Sequence, residues 1–196
     1  LAEAVRRAGA RSGASLFVTL FAVYGALLAR LARREDLVIG VPAAGQATAG
    51  KPGLVGHCVQ LLPIRIDASL DRPMSELLES TRGRVLDAYE HQACTFGALL
   101  AKLNLPRDPS RLPLVNVLFN LDAAIRDEAL SKGGVRARLA SNPRRFENFE
   151  LFLNASQVDG GLVLECQYNA DLFDATTIRR WLALYRSALE RLAADP

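Results

Sequence analysis

Residues 54–65, which read Leu-Val-Gly-His-Cys-Val-Gln-Leu-Leu-Pro-Ile-Arg, place several chemically active side chains in one apolar stretch. His57 could serve as a base and the thiol of Cys58 as a nucleophile. The pattern predicts a strand over residues 55–66, and neighbouring residues of a strand point to opposite faces. We therefore expect Cys58 to be a packed thiol. For His57 two alternatives remain, a place in the wall of a functional cleft or a structural, hydrogen-bonded role.

Gln60 and Arg65 are the other polar residues of this stretch. A glutamine amide can both donate and accept hydrogen bonds. A guanidinium at the end of an apolar strand needs a carboxylate or carbonyl partner, because an unpaired buried charge is costly. Arg65 is therefore either a structural anchor or a contact to a substrate or a neighbouring lobe.

The remaining sequence offers few other catalytic groups. Its one further histidine is His91, and it contains no GxSxG elbow, phosphate-binding loop, GxGxxG or HExxH motif. Its cysteines, Cys58, Cys94 and Cys166, have unrelated spacings and no Cys/His cluster around them. This pattern predicts neither a disulfide framework nor a metal site, and it favours reduced thiols in a cytoplasmic protein.

Composition limits the class of protein and its partners. The chain has 196 residues, of which 50% are hydrophobic and 23% charged, as expected of one globular domain or large subdomain. A net charge of +3, spread along the sequence, is too small to indicate a nucleic-acid partner. The uncharged run from Ser12 to Ala29 is diluted by serine, threonine and glycine, so we read it as a buried helix, not as a membrane span.

Hydrophobic periodicity predicts alternating helices and strands. Helices are expected over 1–11, 16–33, 73–91 and 96–103 and after Asp174; strands are expected over 36–42, 55–66, 115–121, 148–158 and 161–168, with a shorter one over 135–139. The last two long strands form a hairpin around Asp159-Gly160. Pro63 requires an edge position or a bulge. The fold class is therefore α/β, with two layers, a largely mixed sheet backed by helices.

Three segments resemble core motifs of the condensation domains of nonribosomal peptide synthetases. Residues 54–65 are similar to the fifth motif, with Gln60 where asparagine is common. Residues 91–96, His-Gln-Ala-Cys-Thr-Phe, resemble the sixth, with Thr95 at the usual proline position. Residues 107–114, Arg-Asp-Pro-Ser-Arg-Leu-Pro-Leu, resemble the seventh. The motifs occur in the family's order, and the resemblance covers essentially the whole chain.

The resemblance implies a fold like that of chloramphenicol acetyltransferase, in which two similar lobes form a V around a tunnel. In that family, carrier proteins deliver phosphopantetheine-bound donor and acceptor, and the acceptor amine attacks the donor thioester to form an amide. The family's catalytic His-His-x-x-x-Asp-Gly motif is absent from residues 1–196. We therefore expect this chain to be the carboxy-terminal lobe of such a domain, without catalytic residues of its own, without a directly bound cofactor, and inactive alone.

The expected partners are the missing amino-terminal lobe, peptidyl or acyl carrier proteins and an adjacent adenylation domain, within a synthetase or a polyketide–peptide hybrid. The segments 104–114 and 122–148 are expected to cross to the partner lobe. The candidate cleft or support residues are His57, Gln60, Arg65, Asp108 and Arg111. Two alternatives stay open: an autonomous oligomeric acyltransferase that uses His57 or His91, and a non-catalytic module that docks carrier proteins.

Overall fold

The computed structural model describes residues 1–46, 50–51, 53–69, 71–106, 108–122, 133–135, 142, 146–158 and 161–194. These residues contain five helices, α1 (Ala2–Arg11), α2 (Leu16–Ala32), α3 (Met74–Glu90), α4 (Phe96–Leu103) and α5 (Ala175–Ala194). They also contain five strands, β1 (Asp36–Ala44), β2 (Val59–Asp67), β3 (Val117–Asp122), β4 (Leu151–Val158) and β5 (Gly161–Tyr168).

The strands form one mixed sheet in the order β2-β1-β3-β4-β5. β1 pairs antiparallel with β2 and parallel with β3, β3 pairs parallel with β4, and β4 pairs antiparallel with β5. The predicted α/β class with a helix-backed mixed sheet is confirmed, as is the hairpin pairing of β4 with β5. β2 lies at the edge, so Pro63 has the position that its missing N–H requires.

Helix α2 is the centre of the core. Ser15 caps its amino-terminal end by accepting a hydrogen bond from the amide of Val18, and the helix ends at Arg33 in the left-handed conformation. Between these ends the helix is apolar on nearly every side, and Leu20 and Phe21 are fully buried. Its aromatic side chains pack on Phe119 of β3, which joins the helices to one face of the sheet.

The opposite face of the sheet has a smaller apolar contact around Gly40 of β1. A Cβ atom at this position would lie 2.5–2.8 Å from side-chain atoms of Leu118, Val115 and Leu61. These distances are shorter than a Cβ atom tolerates, so the close packing of three neighbouring side chains requires glycine here. This packing brings the connection before β3 onto the sheet.

Several predicted boundaries are wrong, and backbone pairing explains them. β2 begins at Val59 rather than at residue 55, because its partner β1 ends at Ala44, opposite Val59; one further bond joins the Gly45 amide to the Cys58 carbonyl. β1 continues to Ala44, beyond its predicted end at Pro42. β3 begins at Val117, after Leu114 with a φ of 68°.

Other expectations fall on residues outside the described ranges. These are the Asp159-Gly160 turn, Arg107, most of the segment 122–148 and, within it, residues 136–139 of the expected strand 135–139. Within the described residues, none of the helices is by itself long and apolar enough to cross a membrane. α1 and α2 would meet that criterion only as a pair, and the chain bends by 92° between them.

Candidate functional site

A cavity of about 450 Å³ lies where the chain enters β2, beside the start of α4. Its polar lining consists of His57, Cys58, Gln60 and Thr95, and its apolar lining of Gly45, Val59, Leu61 and Phe96. The volume falls within the range of small-molecule sites, and the lining has the usual mixture of apolar surface and a few polar groups. The fifth-motif and sixth-motif segments therefore meet at one site.

His57 and Cys58 precede β2, so strand alternation does not separate them as expected. Both line the cavity, with His57 exposed and Cys58 partly buried. Although both side chains are described, no hydrogen bond joins the imidazole to the thiol. A thiol nucleophile requires an activating base within hydrogen-bond reach. The geometry therefore shows two cavity-wall residues and no nucleophile–base pair.

Gln60 is the second residue of β2 and stands opposite Ala43 of β1. Its amide oxygen is buried and has no hydrogen-bond partner, a state that costs about 1–3 kcal/mol. Gly45 permits the close approach of the neighbouring chain, because a Cβ there would lie 2.7 Å from the carbonyl oxygen of Cys58. Folding therefore leaves unused the hydrogen-bonding capacity of the buried carboxamide oxygen of Gln60.

Thr95 occupies the position where the sixth motif usually has proline, and its side chain forms a local hydrogen bond. Its hydroxyl accepts a hydrogen bond of 3.2 Å from the amide of Ala98 and so caps α4. His91, at the end of α3, has its Nδ1 atom 2.8 Å from the carbonyl oxygen of Asp87. That contact places the ring proton on Nδ1 and orients the imidazole along its own helix.

Arg65 lies away from the cavity. It is five residues beyond Gln60, which is about 17 Å along an extended strand. Its guanidinium forms a bidentate ion pair with Asp36, with Nε 2.7 Å from Oδ1 and Nη2 2.8 Å from Oδ2. Hydrogen bonding to Arg65 is the main cause that lowers the pKa of Asp36.

Asp108 and Arg111 belong to a third place, the turn before β3. The Oδ1 atom of Asp108 accepts hydrogen bonds from the amide and hydroxyl of Ser110, which lower the pKa of this carboxyl group. Arg111 lies 3.3 Å from Asp108 and 3.7 Å from Glu150, and Glu150 also accepts a bond from Asn116. This cluster fixes the seventh-motif turn against the segment entering β4.

The five candidate residues thus occupy three places: His57 and Gln60 share the cavity, Arg65 pairs with Asp36, and Asp108 lies with Arg111. Among the residues that the structure describes, no three or more His, Cys, Asp or Glu side chains are grouped to hold a metal ion. We infer no cofactor site from these positions.

Sequence reasoning missed a polar network on the sheet face opposite α2. Asn120 donates to Asp122 and to Asn154 at 2.7 and 2.9 Å, and Asn154 donates back to Asp122 at 2.9 Å. These residues stand in register on β3 and β4. The available signal was the alternation of polar residues at positions 120 and 122 of β3 and 154 and 156 of β4. The network ties the two strands together through their side chains.

Comparison with protein families matches residues 1–196 to the condensation domain. Surfactin synthase subunit 1 of Bacillus subtilis (strain 168) is 30% identical over 194 residues, which are 99% of this chain and 5% of that protein. Tyrocidine synthase 3 of Brevibacillus parabrevis is 33% identical over 202 residues, which cover 100% of this chain and 3% of that protein.

Solved structures agree with this family at the level of the fold. The condensation domain of the monacolin K polyketide synthase MokA has a TM-score of 0.87 and 22% identity, covering 100% of this chain and 45% of that one. A four-domain nonribosomal peptide synthetase, AB3403, has a TM-score of 0.89 and 20% identity, with coverage of 100% and 16%. This chain therefore spans less than half of the structures it matches. It belongs to the condensation domain family of nonribosomal peptide synthetases.

Proposed function

We propose that residues 1–196 are the carboxy-terminal lobe of a condensation domain that forms amide bonds between carrier-bound thioesters. The observation that carries the single-lobe part of this proposal is the match of the whole chain to 45% of the MokA condensation-domain chain. The resemblance of residues 54–65, 91–96 and 107–114 to the fifth, sixth and seventh motifs supports the carboxy-terminal lobe. The site agrees with it: the described residues supply a cavity wall of suitable size, and neither His57 nor His91 is hydrogen-bonded to a carboxylate. A supporting lobe needs a shaped wall and does not need its own base.

In the proposed reaction, the amine nitrogen of the acceptor attacks the thioester carbonyl carbon of the donor. The C–N bond forms as the C–S bond breaks, the amine loses a proton, and the pantetheine sulfur leaves as a thiol. Residues 57–61 and the start of α4 would supply one wall of the reaction chamber. The group that takes up or orients the amine proton would come from the partner lobe, which carries the family's histidine motif.

The proposed assembly follows from the same placement. The partner lobe would complete the cavity, carrier proteins would present the phosphopantetheine arms, and an adenylation domain would lie next to the condensation domain in a cytoplasmic synthetase. The synthetase subunits from Bacillus subtilis and Brevibacillus parabrevis support this setting, because this chain matches only a few per cent of each.

One observation favours a second function, an acyltransferase that works without a partner lobe. His57 and Cys58 line the same cavity, and His57 is exposed, so a substrate in the cavity could contact the imidazole. This function would require turnover by residues 1–196 alone. A module that only docks carrier proteins would show affinity for a carrier protein and no turnover in any assembly.

The test is a single-turnover assay with a donor and an acceptor loaded on their carrier proteins, read by mass spectrometry of the carrier-bound product. Two enzymes are compared, residues 1–196 alone and the longer polypeptide that also contains the other lobe. We expect amide product from the longer polypeptide and none from the shorter one. Product from residues 1–196 alone would establish the independent acyltransferase, and an inactive longer polypeptide would refute amide synthesis.

A further inference from the structure

The electrostatic character of the 450 Å³ cavity restricts what it can bind. The eight lining residues that the structure describes include no aspartate, glutamate, lysine or arginine, and His57 is the one imidazole among them. A phosphate or an ammonium group placed there would lose its hydration without gaining an opposite charge. The lining therefore fits a neutral, extended ligand with a few polar atoms and considerable apolar surface.

Gln60 is a cavity residue whose carboxamide could recognise such a ligand by hydrogen bonding. Its carboxamide oxygen has no partner after folding, while the hydroxyl of Thr95 already caps α4. The terminal torsion of a glutamine side chain is soft, so a half-turn exchanges its oxygen and nitrogen at little cost. Because the oxygen is buried in the described side-chain orientation, a ligand would reach it only after that half-turn, and an amide group can pair with either atom of the carboxamide.

We infer that Gln60 hydrogen-bonds an amide group of the substrate in this cavity. The inference rests on the proposed function, because that function supplies the ligand. Two parts of a carrier-bound substrate have this chemistry, the amides of the pantetheine arm and the backbone amides of a peptidyl donor. Gln60 acts here as a binding residue, because its hydrogen bond to the substrate is the same before and during the reaction. Loss of this bond should therefore raise KM and leave kcat nearly unchanged.

The experiment uses the longer polypeptide with both lobes and carrier-free thioesters. One donor is supplied as its N-acetylcysteamine thioester, which keeps an amide of the pantetheine arm, and as its S-butyl thioester, which has none. Each thioester is made with a fatty acyl and with a peptidyl donor, so that recognition of the pantetheine arm can be distinguished from recognition of the peptide backbone. The variant is Gln60→Met, which keeps the side-chain length and removes the amide. Gln167→Met is the matched control, because Gln167 also has a buried, unpartnered amide oxygen but lies outside the cavity lining.

We expect Gln60→Met to raise KM about three- to ten-fold, as for one neutral hydrogen bond, for thioesters that contain the recognised amide. The increase in KM should disappear when that amide is removed from the thioester. Gln167→Met should leave the KM of all four thioesters unchanged. An effect confined to N-acetylcysteamine thioesters assigns the arm, and one confined to peptidyl donors assigns the peptide. An equal change in KM for all four thioesters, or no change for any of them, would overturn the inference. Turnover by the wild-type polypeptide would in that case still support the proposed function.

If the wild-type polypeptide makes no amide, binding decides the inference independently of turnover. S-Methylpantetheine and an acetylated dipeptide amide are titrated against wild type, Gln60→Met and Gln167→Met by ligand-observed NMR. Binding of one probe that is weakened only in Gln60→Met supports the inference. Binding that is absent, or equal in all three proteins, contradicts it.

Discussion

Arg65 and Asp36 form a two-pronged ion pair across the edge of the sheet, with N–O distances of 2.7 and 2.8 Å. Both side chains lie on the same face of the β1–β2 ladder, where Val38 is the direct partner of Arg65. The pair joins the last part of β2 to the first residue of β1. This contact satisfies the guanidinium without any ligand, so it favours the structural alternative for Arg65; contact with a partner lobe stays a prediction.

The Asp36–Arg65 pair predicts a pH-dependent contribution to stability. Arg65 lowers the pKa of Asp36 from 3.8, so folding favours the ionised carboxyl group. The pair therefore stabilises the fold above the unfolded pKa, and this contribution is lost as pH falls through the lowered folded pKa. We expect Asp36→Asn to reduce the urea midpoint at pH 7 and to have a smaller effect at pH 3.

Arg65→Gln provides the matching control for that measurement. Because the same contact is removed, its effect should shrink over the same pH range, and the double variant should cost less than the two single variants summed. The side chains are 70% and 59% exposed, so the effects should be small and should weaken with added salt. An Asp36→Asn effect of equal size at pH 7 and pH 3 would refute the role of this pair.

Two buried tyrosines of the core predict opposite results for the same substitution. The hydroxyl of Tyr185 donates a 2.8 Å hydrogen bond to the carbonyl oxygen of Leu20, whereas the hydroxyl of Tyr24 is buried without a partner. Tyr185→Phe should therefore lower the free energy of unfolding by about 0.5–1.5 kcal/mol. Tyr24→Phe should leave it unchanged or raise it, since it removes a polar group that folding desolvates without compensation.

The tyrosine comparison is internally controlled, because the two rings are 6.0 Å apart and pack edge to face in one cluster. Each substitution removes one oxygen atom and keeps the ring. Chemical denaturation of both variants and the double variant gives the two free energies and their coupling. An equal loss in both single variants would mean that the two hydroxyl groups contribute alike and would contradict the assignment.

The sequence was sufficient for the types and order of the long elements. α2 was predictable from its long apolar run, and Pro63 limited β2 to an edge position or a bulge, of which the structure has the edge position. The start of β2 was not predictable from the apolar run 54–66, because it depends on where β1 ends and stops offering backbone partners. Strand boundaries of this kind are set by tertiary pairing, which a single-segment pattern does not contain.

Only part of the candidate site could be predicted from the sequence, for the same reason. His57 and Gln60 were selected from one segment, but their meeting with Thr95 at the start of α4 depends on packing between distant segments. Arg65 was expected to need a carboxylate, yet nothing in its own segment identified Asp36, 29 residues earlier. The amide network of Asn120 and Asn154 likewise exists only because β3 and β4 are adjacent and in register.

If this lobe shapes the reaction chamber and the other lobe supplies the base, both histidines of residues 1–196 are dispensable for proton transfer. The most direct measurement is kcat for amide formation by the longer polypeptide carrying both His57→Ala and His91→Ala, with unchanged circular dichroism as the check on folding. We expect a kcat within about threefold of wild type, because general-base catalysis is worth about 10²–10⁴-fold and would reside in the other lobe. A loss of about 100-fold or more would contradict it and place the proton-transfer group in residues 1–196.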